Sequence, residues 1–204
     1  MKLRVRATKT GKVRFTSHRD AARMWERALR RAGLPVAFTE GFTPRPKISF
    51  GLALPTGAES IAEYVDIELQ REIAATDVDL DTLPERLSDA LPNGFDVLVA
   101  GEREAGADSL QEAVTSCTWE LWSPLLTAAD HLDACRLLQS AELVLERERK
   151  GKRSADDVRP MILDLQPDHT GERLVADLAT IGRALRPAEL AELAYPNIDA
   201  RDVR

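Results

Sequence analysis

The sequence predicts an α+β fold in two units: a ferredoxin-like βαββαβ unit over residues 1–103, then a second, divergent ferredoxin-like unit over 113–204. Three observations predict it. Alternating and helical apolar spacings over the first hundred residues follow the order β-α-β-β-α-β. The polar stretch "REAGADSLQE" after them reads as a linker. Beyond it the spacing resumes in a βαββ-like order and then departs from it.

In "LRVRATKTGKVRFTS" (3–17), Leu3, Val5 and Ala7 share one face and Arg4, Arg6 and Thr8 the other, as a half-buried strand requires. Val13 and Phe15 resume the alternation after the Thr-Gly-Lys turn. Ser17 with Asp20 three residues on starts a helix, Ala21, Met24, Trp25, Ala28, Leu29 and Ala32 keep helical spacing, and Gly33 ends it. Gly41, Pro44 and Pro46 hold the next stretch as a loop before a strand from about Lys47 to Leu54. "AEYVDIEL" (62–69) alternates, with Val65, Ile67 and Leu69 opposite Tyr64, Asp66 and Glu68. "DLDTLPERLSDALP" is a short helix and "GFDVLVAGE" a strand. In the second unit "AVTSCTWELWS" reads as a strand, "AADHLDACRLLQ" as a helix, and "AELVLERER", "RPMILDLQ" and "ERLVADLAT" as strands. A closing helix has Pro187 at its first position. Trp119 and Trp122, three apart, point to opposite faces of their strand.

The net charge of −6 conceals a division. Residues 1–50 hold thirteen Lys/Arg against three acids, a balance of +10, and the remainder carries −16. A basic surface suited to polyanions on an acidic body is the reading. No apolar run is long enough to span a bilayer and the first residues lack a secretion signal, so a cytoplasmic protein without membrane contact is expected. Cys117 and Cys135 have no metal-ligand spacing, so no metal site and no cofactor are expected in this chain. P-loop, dinucleotide and nucleophile-elbow motifs are missing.

Most of the candidate contact residues lie in the basic half. Arg19, Arg23, Arg27, Arg30 and Arg31 form a column on the helix, either a solvated face partly neutralised by Glu26–Arg30 pairing or a ridge that tracks phosphates. In "GFTPRPKISF" two prolines fix the backbone around Arg45 and Lys47, which can grip phosphate, and Phe42 can stack on an unpaired base or pack back onto the core. His18 sits at the helix N-terminus, beside exposed N–H groups and arginines. Contact with a ligand, a structural role and general-base work all remain open for it. A second basic cluster, Arg149, Lys150 and Lys152 with Arg147 and Arg153, surrounds Gly151 at a hairpin tip. His131 and His169 carry no assigned role.

The runs "RFTSHRD", "RALRRAGLP", "GFTPRPKISFGLALPTGAES" and "EYVDIEL", and more weakly "VLERERKGKRSADDVRPMI", resemble the radical-SAM-linked protein family, bacterial proteins encoded beside or fused to a radical S-adenosylmethionine enzyme. The resemblance implies such an enzyme as partner, with S-adenosylmethionine and the iron–sulfur cluster held there. A looser similarity to RNA-binding proteins and processing endonucleases of CRISPR systems, which pair ferredoxin-like units, favours RNA by analogy of fold. The leading expectation is therefore an RNA-binding accessory protein, more a partner than an enzyme, that presents tRNA or rRNA for modification. Its alternatives are a metal-independent endoribonuclease using His18, and a module that docks on the partner enzyme through its basic face.

Overall fold

The structure, a computed structural model, describes residues 1–71, 78–149, 151–182 and 184–204. It is a mixed α+β chain that divides into two compact units, Met1–Ala113 and Val114–Arg204.

The first unit runs β1 (Lys2–Lys9), a 3-10 turn (Gly11–Phe15), α1 (His18–Arg31), β2 (Ile48–Phe50), β3 (Ser60–Glu68), α2 (Leu83–Ala90), β4 (Val97–Glu102) and the single turn α3 (Leu110–Ala113). Its four strands lie in the order β2-β3-β1-β4 and every neighbouring pair is antiparallel. Alternation decides what the sheet buries. Leu3, Val5 and Ala7 of β1 and Val65 and Ile67 of β3 turn inward and share one core with Trp25 and Leu29 of α1 and Leu83 and Leu87 of α2. Both helices therefore cover one face, and Arg4, Arg6, Tyr64 and Asp66 belong to the other.

Helix α1 starts as its sequence predicts: the Ser17 hydroxyl accepts from the Asp20 N–H and donates to the Asp20 carboxylate at 2.7 Å. Val13 and Phe15, expected to continue a strand, sit in the 3-10 turn. In a strand they would share a face, whereas Val13 is 7% exposed and Phe15 62%. Gly94 holds this turn against β4. It has φ +100°, its carbonyl accepts from the Thr10 N–H at 2.8 Å, and a Cβ there would lie 2.4 Å from the Thr10 oxygen. The strand expected over 47–54 shortens to Ile48–Phe50 because its last ladder bond is Gly51 N–H to the Tyr64 carbonyl, after which Pro55 and Gly57 carry the chain through a turn.

Residues 103–113, read as linker in the sequence, bond into the first unit. Arg103 donates to the Ala107 and Asp108 carbonyls, Arg4 donates to the Asp108 carbonyl, Gln111 donates to the Phe50 carbonyl at 2.8 Å, and Leu110 is buried.

The second unit runs β5 (Ser116–Leu121), α4 (Ala128–Ala134) with a 3-10 extension to Gln139, β6 (Val144–Arg149), β7 (Lys152–Asp157), β8 (Ile162–Pro167), β9 (Leu174–Ala179) and α5 (Pro187–Ala194). It does not repeat the order of the first: β5-β9-β8 form one antiparallel sheet, and β6 and β7 form a hairpin of their own. Helix α4 opens on a capping box, Thr127 with Asp130. Pro187 begins α5 as predicted. Trp119 packs against the core, while Trp122 lies beyond the strand, where it exchanges backbone bonds with Arg204 and stacks against its guanidinium group at 5.3 Å. Among the described residues no helix is long and apolar enough to cross a membrane.

Candidate functional site

Two continuations of one alternation build a polar pocket inside the first unit. On β1 the inward positions are Leu3, Val5, Ala7 and then Lys9; on β3 they are Ile67, Val65 and then Glu63. Both apolar runs thus end in an ionisable residue at the same end of the sheet, where Ala7 pairs with Glu63 and Lys9 with Ser60 across a β-bulge. A second bulge, between Arg6 and Ala7, disturbs the β1–β4 ladder at the same level. Bulges re-aim side chains, and here they occur where a lysine enters the core.

His18 closes the pocket from above. As the first residue of α1 it lies on the inward stripe with Ala21 and Trp25, and its ring meets Phe50 edge-on at 5.2 Å. Phe50 and Phe95 in turn pack perpendicular to Trp25, each at 6.5 Å. The cavity between Lys9, His18, Glu63, Leu54 and these rings measures about 20 Å³ and opens to solvent beside His18, enough for one water molecule. Lys9 is only 3% exposed and donates to the Thr16 carbonyl at 3.0 Å. Burial pulls its ammonium below the ordinary lysine value, against the Glu63 charge. Burial also pushes the Glu63 carboxyl above the usual glutamate value, against a hydrogen bond from Ser60 and the charges of Lys9 and His18. One cation, one carboxyl and one imidazole, each from a different element, meet at one opening.

The arginine column takes the opposite side of α1. Arg19, Arg23, Arg27 and Arg30 are exposed on the outer face. Arg23 reaches Asp20 at 3.5 Å and Arg27 donates to the Arg23 carbonyl, while the expected Glu26–Arg30 pair is not among the ion pairs of the described residues. Arg31 is structural, donating to the Ala90 carbonyl at the end of α2. Arg27 and Arg31 also border an open cleft of about 140 Å³ floored by Met24, Leu91 and Pro92.

The proline loop is closed by a reciprocal pair, Thr39 N–H to the Arg45 carbonyl at 2.9 Å and Arg45 N–H to the Thr39 hydroxyl at 3.0 Å. Phe42 at its tip is fully exposed, so it does not pack back onto the core. Lys47 alternates with the core residues Ile48 and Phe50, which puts it on the open face of the sheet. There it bonds Glu68 at 2.9 Å, which also holds Lys2 and is kept below its ordinary value by Lys47. Beside them Asp66 takes both Arg4 nitrogens, at 2.8 and 2.9 Å.

The structure therefore does not gather the predicted residues into one cleft. Lys47 lies level with Lys2, whereas His18 stands over Lys9, seven residues or about 23 Å along β1 at ~3.3 Å per residue. The column is on the helix side of the sheet and Lys47 on the other. The first unit as a whole is also not basic: residues 1–113 hold 16 Lys/Arg against 18 Asp/Glu, a net of −2. The +10 of residues 1–50 ends just before Glu59, Glu63, Asp66 and Glu68, which fold back onto it.

In the second cluster Gly151 forms the hairpin tip with φ +74°. Arg147 is held by Glu189 at 2.6 Å and Arg153 by Glu148 at 3.4 Å. Lys150 and the side chains of Arg149 and Lys152 lie outside the described residues. Among the described residues no group of three or more His, Cys, Asp or Glu is placed to hold a metal ion.

A family model described as an uncharacterized protein conserved in bacteria, DUF2344, matches residues 2–187. No curated protein matches the chain.

Proposed function

We propose that this chain, which belongs to the DUF2344 family of uncharacterized bacterial proteins, binds structured RNA such as tRNA or rRNA and presents it to a radical S-adenosylmethionine enzyme. The observation that carries the RNA reading is the outer face of α1. Arg19, Arg27 and Arg30 stand in water with no carboxylate in ion-pair reach among the described residues, whereas Lys47, Arg4 and Lys2 on the open sheet face are already paired. Unpaired guanidinium groups in a row exchange counterions for phosphates at little cost, while paired ones must first give up a carboxylate. The strand order of the first unit, with both helices on one face, supports reading it as ferredoxin-like. The link to the enzyme rests on the sequence resemblance, and S-adenosylmethionine and its cluster belong to that partner.

The test is binding of structured RNA across a salt series. Replacing Arg19, Arg27 and Arg30 together by alanine lowers the slope of log K against log salt by roughly 2–3 and weakens binding at least tenfold. An unchanged slope overturns the assignment. Recovery of the partner enzyme that survives nuclease treatment would instead favour docking through the basic face.

The pocket favours a second reading, cleavage of RNA without metal. Lys9 and Glu63 supply the further acid–base groups beside His18 that the reaction needs: a base to take the 2′-hydroxyl proton as that oxygen attacks phosphorus, and an acid to protonate the departing 5′-oxygen. Cleavage that persists in chelator and is lost in His18→Ala would establish it; its absence discards it.

A further inference from the structure

We propose that the cavity under the head of α1 takes the edge of an unpaired nucleobase from the RNA whose phosphates the arginine column holds. This rests on the RNA reading above and assigns a site within it. Arg19, the head of the column, directly follows His18, the lip of the cavity, so a strand laid along the outer face of α1 arrives at the opening.

The chemistry of the opening selects a base over a phosphate. A phosphate entering it would face the Glu63 carboxyl. A base edge carries donors and acceptors side by side, and the cavity offers the complement, an acceptor in Glu63 and a donor in Lys9, whose ammonium gives one of its three N–H groups to Thr16. At about 20 Å³ the space admits an exocyclic amino or carbonyl group and not a ring. The ring stays at the mouth against His18 and Leu54. His18 is exposed there although one edge of its contacts is fixed by Phe50, the condition for an imidazole that stacks on a base. A duplex cannot present a base in this way, which restricts the ligand to loops, bulges and ends.

Two oligomers of equal length and charge test the proposal on the full chain: a uridine octamer and an octamer of abasic ribose phosphate, measured by fluorescence anisotropy. The base-bearing oligomer binds about tenfold more tightly. Leu54→Trp, which fills the mouth, and His18→Ala each remove that preference while the salt slope stays at its wild-type value. If one variant fails to fold, shown by its amide spectrum, the other gives the same reading.

Equal binding of both oligomers by the wild-type chain overturns the cavity assignment and leaves the RNA reading standing. So does a preference that survives both variants and vanishes in Phe42→Ala, because the base then stacks on the proline loop. Failure to bind either oligomer, or structured RNA, at low salt overturns both.

Discussion

Each unit of this protein places one histidine against an aromatic ring, and the two histidines are opposites. His131 of α4 is completely buried; its Nδ1 lies 2.7 Å from the Tyr195 hydroxyl and its Nε2 3.2 Å from the Glu172 carbonyl. The carbonyl can only accept, so Nε2–H donates to it, and Nδ1 accepts the hydrogen bond of the tyrosine O–H. Burial raises the Tyr195 hydroxyl far above its ordinary value, which keeps that proton in place. His18 of α1 has one ring contact, an exposed flank and two ionisable neighbours around a void. A buried polar group whose every bond is made internally holds a fold together; one whose bonding capacity faces an opening is available to a ligand. Residue type does not separate the two cases, and the surroundings do.

The largest effect that this contrast predicts is on stability. His131→Ala leaves a void and strands the Tyr195 hydroxyl, at a cost of about 3 kcal/mol to the second unit. His18→Ala costs the first unit less than about 1 kcal/mol, since its ring is partly in water already. Amide exchange of β9 and of β1 reads the two units separately. Comparable losses would erase the distinction.

A smaller effect sharpens the contrast inside the first unit. On the open sheet face Asp66, only 8% exposed, binds Arg4 in a bidentate pair and lies 3.5 Å from Arg103. Asp66→Asn breaks that network and destabilises the unit by about 2 kcal/mol, measured by urea unfolding. Affinity for RNA should stay within about twofold in Lys47→Ala, because Lys47 is already held by Glu68 and spared from phosphate. A loss comparable to that of the triple arginine variant would move the site to the sheet face.

What the sequence disclosed follows from how local each signal is. Helix α1 was legible because its cap, stripe and stop are all within its own residues, and so was Pro187 at the start of α5. Strand β7 was legible only through the hairpin tip at Gly151, because "KRSADD" contains no apolar alternation and the ion pairs that join it to β6, Arg153 with Glu148 and Arg147 with Asp156, form only once the strands are paired. Lys9 and Glu63 were legible in principle: extending the inward parity of Leu3, Val5 and Ala7 by one step, and of Val65 and Ile67 by one step back, lands on both. A lysine and a glutamate on core parity are the signal that a count of exposed arginines passes over. The neutralisation of Lys47 was out of reach, since Glu68 lies 21 residues away and meets it only through the sheet.

The finest test asks whether Lys9 and Glu63 sense each other as a donor and acceptor sharing one cavity must. The Glu63 carboxyl is raised, so the stability it contributes is fully present below its ordinary value of 4.5 and is lost as pH climbs through the raised one. The Lys9 ammonium is lowered, so its contribution is present above 10.5 and lost as pH falls through the depressed value; at neutral pH and below, its burial is a cost. Lys9→Met removes that cost at every pH below the depressed value. It also removes a charge that holds the Glu63 carboxyl down, so the carboxyl titrates higher still. The variant should therefore be stabilised most at pH 4, below the raised Glu63 value, and its advantage should shrink towards pH 8 as the carboxyl ionises without its counter-charge. Urea midpoints at the two pH values, with the Glu63 carboxyl followed by carbon NMR, read both halves. An advantage equal at pH 4 and pH 8 would mean that the two groups are electrically independent, and the cavity would then lack the paired donor and acceptor that suit it to a base edge.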